Sequence, residues 1–162
     1  MKKVMMVLVL AVFTALPVLA TESSFALGVW YDCPENIGTT DVEGLCVGVP
    51  LIANGEVEGA SVALIGNRSR EVSGLQFALI GFNFAESLYG IQLGLLNFQG
   101  GQHDDFTAQL GFYNQAEENG IQLGFINNSR NNATFQLGFI NINKRGFFPV
   151  MLLVNFGSDL FD

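Results

Sequence analysis

The sequence predicts an all-β fold, a single-domain β-solenoid of about eight short coils with terminal caps. Three observations predict it. One apolar phrase recurs, as "GIQLGLLN" at 90–97, "GIQLGFIN" at 120–127 and "TFQLGFIN" at 134–141. Apolar residues around it alternate with period two, the signal of a strand with one apolar face. Proline inside the repeating region occurs only at Pro50 and Pro149, in the first and last units; it lacks the donor a ladder needs and marks sheet edges.

Anchored on the Gln of that phrase, the units run through Cys46, Ser61, Gln76, Gln92, Gln109, Gln122, Gln136 and Pro149, with successive spacings of 15, 15, 16, 17, 13, 14 and 13 residues. The positions one before, one after and three after each anchor are apolar in all eight units, from Leu45, Val47 and Val49 to Phe148, Val150 and Leu152. A helix would place its apolar residues three and four apart. Each unit therefore reads as a strand whose apolar side faces the core and whose Gln faces out.

Two further rows accompany the strands. Small residues stand two after the anchor, at Gly48, Ala63, Ala78, Gly94, Gly111, Gly124 and Gly138, which implies close packing or a bend. Gly66, Gly81, Asn97, Asn114, Asn127 and Asn141 stand five after it. Both residue types tolerate left-handed backbone angles, so this row reads as a corner. Polar stretches such as "NRSRE", "QAEEN" and "NSRNN" form the connecting rim. The alternative is a small antiparallel β-barrel in the outer membrane, but that fold would scatter the Gln, Gly and Asn columns between its two ends. In a parallel stack the same columns become ladders about 4.8 Å apart, and stacked amides hydrogen-bond along them.

The expected domain organisation is a signal peptide over 1–20, an N-terminal cap over 21–43, the repeat array over 44–146, and a last repeat with C-terminal cap over 147–162. Lys2 and Lys3, the apolar run that follows and the small residues before Thr21 have the form of an export signal. Its removal takes away two lysines and no acid, so the formal charge goes from −8 to −10. That charge excludes nucleic acid as a partner. Cys33 and Cys46 are candidates for a disulfide in an oxidising compartment, the alternative being two buried thiols.

No catalytic, metal or cofactor site emerges. His103 is the only histidine. It reads as a solvated loop residue, and Asp104 and Asp105 are too few for calcium, which needs six or more oxygens. Glu117 and Glu118 read as solubilising charge. The one candidate binding feature is an outward strip of Gln76, Gln92, Gln109, Gln122 and Gln136 beside Gly94, Gly111, Gly124 and Gly138, uncharged and regularly spaced.

At "VALIGNRSREVSGLQFALIGFN" (62–83) and "GIQLGLLNF" (90–98) the chain resembles a family of bacterial surface-repeat proteins, typified by leptospiral surface-repeat lipoproteins. The resemblance covers residues 42–156, including the tail "FFPVMLLVNFG", although no cysteine follows the export signal to carry a lipid. It implies a non-enzymatic protein of the cell envelope or surface. The expected locations are the periplasm, the cell surface or the medium. The expected partner is a protein or envelope component, self-association included, with a membrane only for the barrel.

Overall fold

In the computed structural model the described residues are 22–31, 33, 37–101, 106–117 and 120–158. The expected signal peptide over 1–20 lies outside them. The strands are β1 (Glu22–Gly28), β2 (Asp41–Gly48), β3 (Leu51–Ala63), β4 (Gly66–Ala78), β5 (Phe82–Leu93), β6 (Leu96–Gln99), β7 (Thr107–Ala116), β8 (Ile121–Ser129), β9 (Phe135–Asn143) and β10 (Val150–Phe156), with a 3-10 turn at Ile37–Thr39. They form one sheet in chain order, and β5 also pairs β7 past the short β6.

Every pairing from β1 to β9 is parallel. This is a β-solenoid of about six turns and not a barrel. The two ends differ from the sequence reading. Strand β10, which carries the unit at Pro149, runs antiparallel to β9 and closes the stack. Upstream, β1 falls in the segment expected to be only a cap, yet it is a rung of the sheet, with Phe25, Ala26 and Leu27 opposite Leu45, Cys46 and Val47.

The register keeps like residues in columns. Gln76, Gln92, Gln109, Gln122 and Gln136 stand on successive rungs. The asparagine column is longer than expected, because Asn67 pairs with Asn83, Asn83 with Asn97, and the series continues to Asn141. Gly66 and Gly81 are not its members. The early corners "LIGN" and "LIGFN" carry one and two more residues than "LLN", and these are absorbed before the asparagine. Nor is this row a left-handed corner. Positive φ falls instead on Gly44, Gly59, Gly74, Gly90 and Gly120, two residues before the anchors. A Cβ there would collide with the carbonyl of the rung below, as at Gly74 above Gly59, so side chains are excluded at this bend.

The assignment of faces is reversed from the sequence reading. Gln76, Gln92, Gln109 and Gln136 are 0% exposed and Gln122 2%, and all six ladder asparagines are fully buried. Their apolar neighbours are half-buried or exposed. Alternation identifies two faces but not which one is inside, and here the inside is set by amide pairing. Each Gln Nε2 donates to the Oε1 of the Gln on the preceding rung, at 2.9, 2.8, 2.8 and 2.7 Å from Gln92 to Gln136. Each Asn Nδ2 donates the other way, to the Oδ1 of the following Asn, at 2.8–2.9 Å. The second amide hydrogen bridges the two walls, for example from Gln109 to the Gln115 carbonyl and from Asn114 to the Leu123 carbonyl, both at 3.0 Å.

The coil changes character along its length. In the first rungs a third side contributes an aliphatic column, Val42, Val57, Val72 and Leu88, each 0–1% exposed and in register. Ile37 and Ile52 complete that core. Beyond Leu88 no further aliphatic residue joins this column among the described residues, and the interior holds amides, Thr107, Ser129 and small residues such as Ala116.

Adjacent asparagines on β8 test the faces. Asn127 is inside the ladder, whereas Asn128 points outward and is half-buried. Asn127→Ala would orphan buried partners on the rungs at Asn114 and Asn141, each costing about 1–3 kcal/mol. A total loss of about 2–5 kcal/mol is expected in denaturant melts, against under about 1 kcal/mol for Asn128→Ala. Equal losses would contradict the observed faces.

Candidate functional site, an outward apolar face

The residues expected to form a contact strip do not make one: the glutamines are buried and the glycines half-buried. The five glutamines form the inner ladder, and Gly94, Gly111, Gly124 and Gly138 sit against the asparagine amides. A Cβ built at Gly111 would stand 2.6 Å from Asn97 Nδ2, and at Gly124 2.5 Å from Asn114 Nδ2. The glycines leave room for the amide column, so bulk added there would strike the interior rather than a partner.

The outward surface of the same strands carries the apolar positions. One column runs Leu45, Ala60, Leu75, Ile91, Ala108, Ile121 and Phe135; the next runs Val47, Val62, Phe77, Leu93, Leu110, Leu123 and Leu137. At the corner stand Val49, Leu64, Leu79, Leu95, Phe112, Phe125 and Phe139. None of these positions is charged. The corner side chains are the most open, with Leu79 58%, Phe112 54% and Phe139 53% exposed. Strand β10 extends the face, with Leu152 opposite Ile140 and Val154 opposite Leu137.

Register also stacks the rings. Phe112 and Phe125 lie 5.0 Å apart at 9°, and Phe125 and Phe139 5.1 Å apart at 10°. The spacing is that of the rungs, and it falls within the range favoured for offset aromatic pairs. A row of rings fixed in one orientation loses little conformational entropy when a partner covers it. Monomeric proteins rarely leave a contiguous apolar patch of this extent uncovered.

The charged groups lie elsewhere. Glu43 faces Glu58, and Glu56 faces Glu71, on adjacent rungs. Glu71 first, then burial and the charges of Asp41 and Glu58, hold the Glu56 carboxyl above its ordinary value, and Arg70 opposes them. The Glu56 amide donates to Asp41 Oδ1 at 2.9 Å. Among the described residues no group of three His, Cys, Asp or Glu side chains is placed to hold a metal. His103, Asp104, Asp105 and Glu118 lie outside the described residues. Glu117 accepts from Arg130 at 2.6 Å. A shallow cleft of about 590 Å³ on the second wall is lined by Phe82, Phe84 and Phe98 with Arg68 and Arg130. Arg68 lies 5.7 Å over the Phe84 ring.

The cysteines are not joined. Cys46 occupies the anchor column and points into the coil, whereas Cys33 is exposed outside it; both are free thiols. The expected disulfide therefore does not form, because the anchor position faces inward. Burial pushes the Cys46 thiol up to about 12.

No protein-family model, curated protein or solved structure matches the chain.

Two measurements follow from these side chains. A thiol-reactive dye at pH 8 should label Cys33 in the native protein and Cys46 only after unfolding; two equally fast thiols would show that the anchor column is open. For the acids, a raised folded value for Glu56 means that repulsion is absent below its ordinary value of 4.5 and develops as pH rises through the folded value. Stability from this group is thus present in acid and lost toward neutrality. Glu71→Gln should raise the midpoint of thermal unfolding by roughly 1–3 °C at pH 7 and leave it unchanged near pH 4. An equal gain at both pH values would rule out charge as the cause.

Proposed function

We propose that this chain is an exported, non-enzymatic repeat protein of the bacterial cell envelope or surface, acting as a rigid structural or binding platform. The observation that carries the reading is the uncharged apolar face held in register over seven consecutive rungs from Leu45 to Phe135. A platform needs a surface whose groups stay in place without a partner, and ladders on both walls supply that. The resemblance to bacterial surface-repeat proteins supports an envelope location, and the basic-then-apolar N-terminus supports export. The partner is a protein or other envelope component that meets the face through apolar contact.

Fractionation of the producing bacterium tests the reading. The chain is expected in the periplasm, on the surface or in the medium, with an envelope-bound share. The double variant Phe112→Ser, Phe125→Ser should remain exported and folded but lose at least fivefold of that share. Retention of the wild type in the cytoplasm would overturn the location, and an undiminished bound share in the variant would overturn the face.

A further inference from the structure

We propose that the apolar face is covered by the same face of a second copy of this chain, the two running head to tail as a sheet-on-sheet dimer. The proposal rests on the reading of this face as a contact surface and names its occupant. Size complementarity along the corner column supports it. The column reads Val49, Leu64, Leu79, Leu95, Phe112, Phe125, Phe139, small at one end and large at the other with Leu95 at its middle. A two-fold axis along the strand direction through Leu95 reverses the rung order and keeps each column opposite itself. Phe139 then meets Val49 of the second copy, Phe125 meets Leu64, and Phe112 meets Leu79. Every large ring is set against a smaller aliphatic group, which close packing at a spacing of about 10 Å between sheets requires.

Area and charge agree. Seven rungs each about 4.8 Å wide and five strand residues each about 3.3 Å long give a footprint of roughly 34 by 16 Å, close to 550 Å² per copy. Two copies together remove roughly 1,100 Å² before side-chain relief is counted, above the roughly 1,000 Å² that a specific interface must clear. The chain is acidic, with 15 Asp and Glu against 7 Lys and Arg, and among the described residues Glu43, Glu56, Glu58 and Glu71 lie off the face. Two such copies repel through their rims, so added salt should tighten the dimer. A bilayer is a poorer occupant, because surfaces that lie in the lipid interface carry basic flanks and this chain is acidic.

Sedimentation equilibrium over a dilution series of the protein recovered from the exporting cell tests the dimer. The wild type is expected to dimerise, with a Kd that falls as salt rises. Phe125→Asp should raise the Kd at least a hundredfold, while Asn128→Asp on the other wall should leave it within twofold. Geometry is tested separately in a Cys33→Ser background with a short bis-maleimide. Leu95→Cys, on the axis, should link two copies, whereas Phe139→Cys, about 29 Å from its symmetry mate by the rung spacing, should not. A wild type that stays monomeric at all concentrations, or one that floats with phosphatidylcholine vesicles instead of dimerising, overturns the proposal. So does linking through Phe139→Cys and not Leu95→Cys, which would mean another orientation. The dimer can fail while envelope retention still depends on Phe112 and Phe125; then the platform reading stands and its occupant is a different molecule.

Discussion

Amide pairing inside the coil is the constraint on which the other features depend. A buried primary amide has two donors and two acceptor lone pairs, and leaving them unpaired costs more than the pairs contribute. The coil solves this by repetition, because an identical residue one rung away offers the complementary atom at the right distance. The condition is strict. A slip of one residue would put Leu123 opposite Gln109 and strand amides on both rungs, so each ladder fixes the register of all rungs at once. The two columns also donate in opposite senses, glutamines toward the N-terminal rungs and asparagines toward the C-terminal ones, so their dipoles oppose one another. The glutamine column ends at Gln136, whose Oε1 is buried without a partner. The reversed strand β10 lies directly beyond it, with Asn155 opposite Gln136, but the Asn155 amide donates instead to the Phe148 carbonyl.

Filling the interior with amides determines what lies outside. Period-two alternation sends one set of residues in and the other out, so a strand whose inner set is Gln and Gly has its Leu, Ile and Phe on the surface. The glycines at 94, 111, 124 and 138 belong to the same arrangement, since their missing side chains are the space the asparagine amides occupy. In the early rungs Ala63 and Ala78 take that place and the third side supplies Val57, Val72 and Leu88. That half has an ordinary aliphatic core. The later half is held by ladders.

This division marks how far the sequence alone could be read. The strands, the parallel stacking and the columns were legible, because a residue repeated at nearly constant spacing is useful only if its copies stand next to one another. Which face is inside was not. The rule that apolar residues face inward assumes that polar ones cannot be satisfied there, and the ladder removes that assumption. A signal was present in the recurrence itself: surface glutamines have no need to be identical on five rungs, whereas amides that bond to one another do. The bend glycines at 44, 59, 74, 90 and 120 went unread because the phrase at 134–141 opens on Thr134 instead and only Gly90 and Gly120 begin a quoted copy, and the asparagine column was cut short because Gly66 and Gly81 hid its insertions. The expected disulfide failed with the face, since Cys46 turns inward with the anchors.

The inverted faces also bear on why such a chain would be a platform at all. Even the early rungs, with an aliphatic column inside, leave Val49, Leu64 and Leu79 exposed on the outward face. Amide ladders fill the later interior, so Phe112, Phe125 and Phe139 are available at fixed positions on the outside, with a stacking distance set by the backbone ladder. Their spacing is insensitive to what they touch. A partner therefore meets a surface already ordered, and the entropy of arranging those rings has been met by the amides behind them. The polar interior and the apolar exterior of the later rungs are thus two results of one choice of residues.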